Sequence, residues 1–160
     1  RKSEAPLLLD LKRDGDLVLV ENVGEDVDQV ADVVEQCEAS GLLAQIGCDP
    51  AAIGAIVDAI LGRGIDQDRL IGISQGWRLV GAIKTCERKL AEHKFAHGGA
   101  RLMAWSVGNA RIEPRGNAVL ITKQASGTGT IDPLLATLNA VELMARNPQA
   151  QRSFWETAAA

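Results

Sequence analysis

An α/β domain built on a mixed sheet is the fold class the sequence predicts, and three observations carry it. Segments with apolar residues at helical spacing alternate with short apolar runs, as when helices and strands interleave. Near the start, an Asp-Gly step between two apolar runs is a hairpin signal. The chain has 160 residues, 46% hydrophobic and 24% charged, which suits a single soluble globular domain with its own core.

The elements follow in chain order. APLLLDLKRDGDLVLVENV reads as two strands joined at Arg13-Asp14-Gly15-Asp16. Val27, Val30, Val34 and Cys37 recur at helical spacing and mark a helix from Asp26 to Ser40, stopped by Gly41. LLAQIGC is a short strand. Ile53, Ile56, Val57, Ile60 and Leu61 mark a helix that closes at Gly62 and Gly64, and RLIGIS is another short strand. Leu79, Val80, Ile83, Cys86 and Leu90 give a helix over about residues 77–93. GARLMAWSVGNA reads as helix, and RIEPRGNAVLITK as a hairpin with Pro114 and Gly116 in its turn. QASGTGT is a flexible loop, and its SGTGT part can either cradle a phosphate through backbone N–H groups or simply link. A last helix starts at Asp132 and ends near Asn147-Pro148. Residues 1–147 form the predicted domain and 148–160 a loosely held tail.

Composition removes several function classes. No run approaches eighteen apolar residues, so no membrane span or membrane partner is expected. There is no signal-peptide pattern, and a chain opening on Arg1 reads as a fragment that has lost its start. The net charge of −4 argues against a broad basic footprint, although a local patch can still meet phosphates. Cys37, Cys48 and Cys86 have no CxxC spacing, and the two in helical apolar patterns, Cys37 and Cys86, read as buried free thiols in a reducing cytoplasm. With His93 and His97 the only histidines, a His/Cys metal site is not expected. His97, before Gly98-Gly99, reads as structural. The aromatics are Phe95, Phe154, Trp77, Trp105 and Trp155, too few for a stacking platform along single-stranded nucleic acid. Trp105 reads as core.

Asp-Pro occurs at Asp49-Pro50 and again at Asp132-Pro133, each time between an apolar run and a helical pattern. Aspartate is a good N-cap, and proline suits the next position, where its missing N–H costs nothing. The two aspartates are therefore explicable as caps. A second reading starts from position, because Asp49 follows a strand, and α/β sheets place ligands at their carboxyl edge. Asp132 follows a Gly-rich loop that can bring it to the same edge. Two carboxylates brought together repel unless a cation intervenes. Mg²⁺ or Mn²⁺ takes such hard oxygen donors and can activate water against a phosphodiester.

The C-terminal half, from AIKTCERKLAEHKFAHGG through MAWSVGNARIEPRGNAVLITK to IDPLLATLNAVELM, resembles the nuclease domain of the large terminase subunit of tailed bacteriophages. The matching order is Glu87, His97, Trp105, Asn109, a hairpin, Lys123 and Asp132. Upstream, RDGDLVLVENVGEDVDQVADVVEQC and IGCDP are similar to the same family, so the resemblance covers roughly residues 10–147. It implies an RNase H-like fold and metal-dependent endonuclease activity on double-stranded DNA during genome packaging in the bacterial host cytoplasm. Asp49 matches the second acidic position and Asp132 the last, implying that both are catalytic and hold Mg²⁺ or Mn²⁺. The implied partners are a terminase ATPase domain, the small terminase subunit and the portal.

The chain departs from the family pattern in three ways. The family's first catalytic aspartate lies on an opening strand that this chain lacks, with Asp10 a stand-in on the second strand. Thr130 stands where many members have lysine. No phosphate-binding GxxxxGK[ST] loop occurs, so the chain by itself is not a motor. Lys84 and Arg88, four apart, with Lys94 beyond them and Arg111, Arg115 and Lys123 near the hairpin, can contact phosphates or be ordinary solvated charge. Glu87 and Glu92 interrupt that basic face. The alternative function is a non-catalytic RNase H-like remnant or docking module of the packaging machinery. A third reading is another RNase H-like nuclease, such as a resolvase or integrase, and the terminase-like order of Trp105, Asn109 and Asp132 argues against it.

Overall fold

The computed structural model describes residues 4–51, 53–116, 118–123 and 129–146, with no side chains described at 115, 118 and 123. Their order is α1 (Ala5–Arg13), α2 (Glu25–Ala39), β1 (Ile46–Cys48), α3 (Gly54–Gly62), β2 (Leu70–Gly72), α4 (Val80–Ala91), α5 (Arg101–Gly108), β3 (Ala110–Arg115), β4 (Ala118–Lys123) and α6 (Asp132–Ala145). Short 3-10 turns at Gln67–Arg69 and Gly76–Leu79 lead into β2 and α4. The class is α/β, as the sequence predicts. Among the described residues the strands form two pairs, β1 parallel to β2 and β3 antiparallel to β4. No described helix is long and apolar enough to cross a membrane. The chain gathers into two compact units, Arg1–Leu19 with Ser74–Glu142, and Val20–Ile73 with Leu143–Ala160. The expected tail and most of the Gly-rich loop lie outside the described residues.

The unit holding β1 and β2 is built on α2 and α3. Glu25 opens α2, and its carboxylate accepts from the backbone N–H groups of Glu21 (3.1 Å) and Asn22 (3.3 Å) and from the Asn22 side chain. Gly41, at φ 72°, ends the helix as expected. The inward stripe of α2 is Val27, Ala31, Val34 and Glu38 rather than Val27, Val30, Val34 and Cys37. Ala31 is small enough to let α3 approach. It is fully buried with Ile60 and Ile65, flanked by Val34, Leu43, Ile46, Ile56, Ala59 and Leu70. Cys37 is consequently exposed, which corrects its reading as a buried thiol, while burial pushes the half-buried Cys48 thiol up. The rotation also faces Asp28, Asp32 and Glu35 toward Arg63, whose Nε donates to Asp32 at 3.0 Å.

β1 is shorter than the apolar run LLAQIGC. The Leu43 carbonyl accepts from Arg69 Nη1 at 2.6 Å, so that part of the run bonds to a side chain instead of a strand. Ile46, Gly47 and Cys48 lie beside Leu70, Ile71 and Gly72, and the Ile73 N–H donates to the Cys48 carbonyl at 2.7 Å.

In the other unit, the expected opening hairpin is instead a helix followed by a turn. Pro6 sits in the first turn of α1, and the leucines and basic residues that follow are good helix formers. At its end Gly15 takes φ 82°. The Gly15 N–H donates to the Lys12 carbonyl at 3.1 Å and the Asp16 N–H to the Leu11 carbonyl at 3.0 Å. That is a Schellman C-cap, which uses the same Asp-Gly chemistry as a hairpin turn. Asp14 then pairs with Arg101 at 2.6 Å, and the Asp16 carboxylate accepts from the Leu102 N–H at 3.1 Å, capping α5. The hairpin β3–β4 forms as expected, but Pro114 pairs with Val119 inside it. The turn is made at Gly116, φ 59°. β4 packs on the 3-10 turn Gly76–Leu79 and on α4.

Candidate functional site

Asp49 directly follows Cys48, the last residue of β1, so it stands at the carboxyl edge of the parallel pair. It is half-buried, and its Oδ1 accepts from the Ala51 N–H at 3.0 Å, closing an Asx turn. It does not cap a helix. The next helix, α3, begins only at Gly54, with Ile53 at its N-cap position and no side-chain cap. The cap reading of Asp49-Pro50 is therefore corrected, because the Asp49 carboxylate closes a turn at Ala51 while α3 begins only at Gly54.

Asp132 is the first residue of α6 and is exposed. Here too the carboxylate is not the cap. The Leu134 N–H donates to Ser106 Oγ at 3.2 Å, and the Asp132 N–H donates to Thr130 Oγ1 at 3.2 Å. The Asp132 carboxylate instead accepts from the Thr130 hydroxyl. It lies at the positive end of α6, where a negative charge is stabilised. Thr130, which stands where a lysine was looked for, thus touches the acid directly.

The approach to Asp132 is held from α5. Asn109 Nδ2 donates to the Thr130 carbonyl at 3.1 Å. Gly129 is buried, and a Cβ placed on it would overlap the Asn109 carboxamide. Ser106 is completely buried and Trp105 half-buried on the same helix. Ser106 escaped the sequence reading because a serine between Trp105 and Val107 looks like an interruption of an apolar helix. Its signal was the AWSVGN run, in which Ser106 and Asn109 fall three apart on one helical face.

The other residues singled out fall as follows. Lys84 and Arg88 are exposed, one turn apart on α4. Arg111 is exposed on β3, opposite Thr122, and Lys123 ends β4, its side chain outside the described set. Lys94 is neutralised by Glu92 at 3.0 Å, which removes it from the basic face. Asp10 lies on α1 and not on a strand, paired with Arg13 at 2.8 Å. Its role as a stand-in carboxylate at a strand end therefore loses its basis. His97 accepts from the Gly99 N–H at 3.2 Å, a local structural bond. Burial, then the charge of Glu87, pushes the Cys86 thiol up.

Residues 17–147 match the family described as the terminase large subunit, endonuclease domain. The chain belongs to that family. No curated protein and no solved structure matches it significantly. The matched span of this terminase domain contains Asp49, Asp132, Ser106, Asn109, Thr130 and the basic residues of α4 and the hairpin. It leaves out α1 and Asp10. Among the described residues no three Cys, His, Asp or Glu side chains are gathered as a metal-binding group. Asp49 and Asp132 offer only carboxylate oxygens, the donor type hard divalent cations take, and they lie in different compact units.

Proposed function

We propose that this terminase domain hydrolyses phosphodiester bonds of double-stranded viral DNA during genome packaging, with Asp49 and Asp132 as catalytic residues that hold Mg²⁺ or Mn²⁺. One observation carries the reading. In a chain of the endonuclease-domain family, both Asp-Pro carboxylates are released from the capping role that would otherwise explain them. Such an ion, when bound, would lower the pKa of a water and offset charge on the phosphate. The chain's own part is positional. The Asx turn fixes Asp49 at the strand edge, and Thr130, Asn109 and Ser106 fix the backbone that carries Asp132. Lys84, Arg88, Arg111 and Lys123 would hold the duplex through its phosphates, which orients DNA without reading its sequence.

The RNase H-like arrangement, an ATPase domain, the small terminase subunit and the portal as partners, and the cytoplasm of a bacterial host belong to the same proposal. Binding of Mn²⁺ tests it through the loss of the free-ion electron paramagnetic resonance signal on titration with protein. Asp49→Asn and Asp132→Asn should each weaken binding at least tenfold. Unchanged binding in both variants would remove these carboxylates from the site.

A second reading, a non-catalytic docking module of the packaging machinery, is favoured by the net charge of −4. It predicts no metal-dependent cleavage and unchanged folding in either variant.

A further inference from the structure

We propose that the 3-10 turn Gly76–Leu79 and the outer face of α4 bind unpaired DNA, with one base stacking on Trp77 and the flanking phosphates meeting Arg78, Lys84 and Arg88. The inference rests on the DNA-acting reading above and adds a substrate form to it.

The aromatic is the first observation. Trp77 is 61% exposed, although a tryptophan side chain gains much by burial. Its ring lies under the Arg78 guanidinium, 5.3 Å from the ring centroid, and Arg78 Nη1 is itself tethered to Ser74 Oγ at 3.2 Å. The cation and the ring therefore form one restrained unit beside open solvent. Base–aromatic stacking and arginine's cation–π contact are the two contributions by which proteins hold single strands without reading sequence.

Charge is the second observation. Among the described residues Arg13, Arg63, Arg69, Lys94 and Arg101 all sit in ion pairs with carboxylates. Lys84 and Arg88 do not, and they follow Trp77 and Arg78 on the next turns of the chain. Glu87 is exposed beside them, but it lies toward the flank of α4, so in a protein of net charge −4 the outward stripe of Lys84 and Arg88 is complementary to a polyanion.

Shape is the third. Leu79, Ala82 and Ile83 are buried, so the opposite face of α4, with Gly81, Lys84 and Arg88 at i, i+3 and i+7, looks outward. A Cβ at Gly81 would meet nothing within 4 Å. Gly81 therefore adds no side chain to this outward face, which leaves its backbone open to an approaching strand.

The ligand is an unpaired strand because the bases of an intact duplex stack on one another. A side-chain ring reaches a base face only where pairing is open, as at a nick or a frayed end. The scarcity of aromatics rules out a platform for many bases, and this site needs one.

The test is fluorescence anisotropy with the whole chain, chelator present, using labelled oligo-dT and a blunt duplex of the same length. Trp77→Ala should weaken oligo-dT binding about tenfold and shrink the preference for oligo-dT over duplex, while Trp77→Phe restores most of it. Lys84→Gln with Arg88→Gln should weaken both ligands and lower the salt slope by roughly 1–2. An unchanged oligo-dT affinity in Trp77→Ala, or an equal loss on both ligands, overturns the inference. That would leave Trp77 to a protein contact. If duplex binding depends on Lys84 and Arg88 while Trp77 has no effect, only this inference fails. If neither DNA binds the wild-type chain, the functional reading fails with it.

Discussion

The Asp-Pro dipeptide occurs twice, and each aspartate is held differently. Asp49 spends one oxygen on the Ala51 N–H, and Asp132 receives the Thr130 hydroxyl. Around Asp132 the tightest constraint is steric. Gly129 and the Asn109 carboxamide occupy adjoining space, so Gly129→Ala must displace either the Asn109 side chain or the Thr130 carbonyl it binds. Overpacking of this kind costs about 1–3 kcal/mol. Thermal denaturation should show that loss, and an unchanged midpoint would mean the contact is not made. A second single-residue device is Glu25. The Asn22 side chain, then the backbone N–H groups of Asn22 and Glu21, hold its carboxyl below the ordinary 4.5. A folded-state value that is depressed gives stability that is complete above the unfolded value. That stability is lost as pH falls through the folded one. Asn22→Ala should therefore flatten the decline of melting temperature on acidification below about pH 4.5. A decline of wild-type steepness would contradict this.

Elements show where the sequence was legible. Helices α2, α3, α4 and α6, strand β2 and the hairpin β3–β4 were readable because apolar periodicity and flanking glycines agreed. The opening segment was not readable. Asp14-Gly15-Asp16 serves a helix C-cap as well as a hairpin, and a local signal cannot tell the two apart when a leucine-rich run precedes it. The inward stripe of α2 was displaced by one position because Ala31 is chosen by the neighbour it admits. The candidate aspartates were legible from the family resemblance and the dipeptide. Asn109 was singled out by the same resemblance, but the support from Ser106 was not legible, since its cap crosses from one helix to another across 28 residues. That cross-helix cap gives an element-scale prediction. Ser106→Ala leaves the half-buried Leu134 N–H without its acceptor and should lower stability by about 1–2 kcal/mol. Ser106→Thr, which keeps the hydroxyl, should recover part of it in the same denaturation experiment. Equal losses in both variants would assign the effect to packing.

At the scale of the whole molecule, charge and chemistry are distributed unequally. The unit built on α2 and α3 holds Arg63 and Arg69 in ion pairs with its own acids. Among the described residues, Lys12, Arg78, Lys84, Arg88 and Arg111 are exposed cations in no ion pair with a carboxylate, and all five belong to the unit that carries Asp132. This division suits a terminase endonuclease domain in which one surface meets DNA while the net charge stays at −4. The central claim is that Asp49 and Asp132 act in catalysis and not in folding. The measurement that tests it most directly is nicking of supercoiled plasmid by the wild-type chain, Asp49→Asn and Asp132→Asn, each with Mn²⁺, with Mg²⁺ and with chelator. Melting temperatures would be taken on the same samples. The account predicts metal-dependent nicking by the wild type, a loss of at least a hundredfold in each variant, and stabilities within about 0.5 kcal/mol of wild type. Full nicking by either variant, or a variant that loses activity only because it has unfolded, would contradict it.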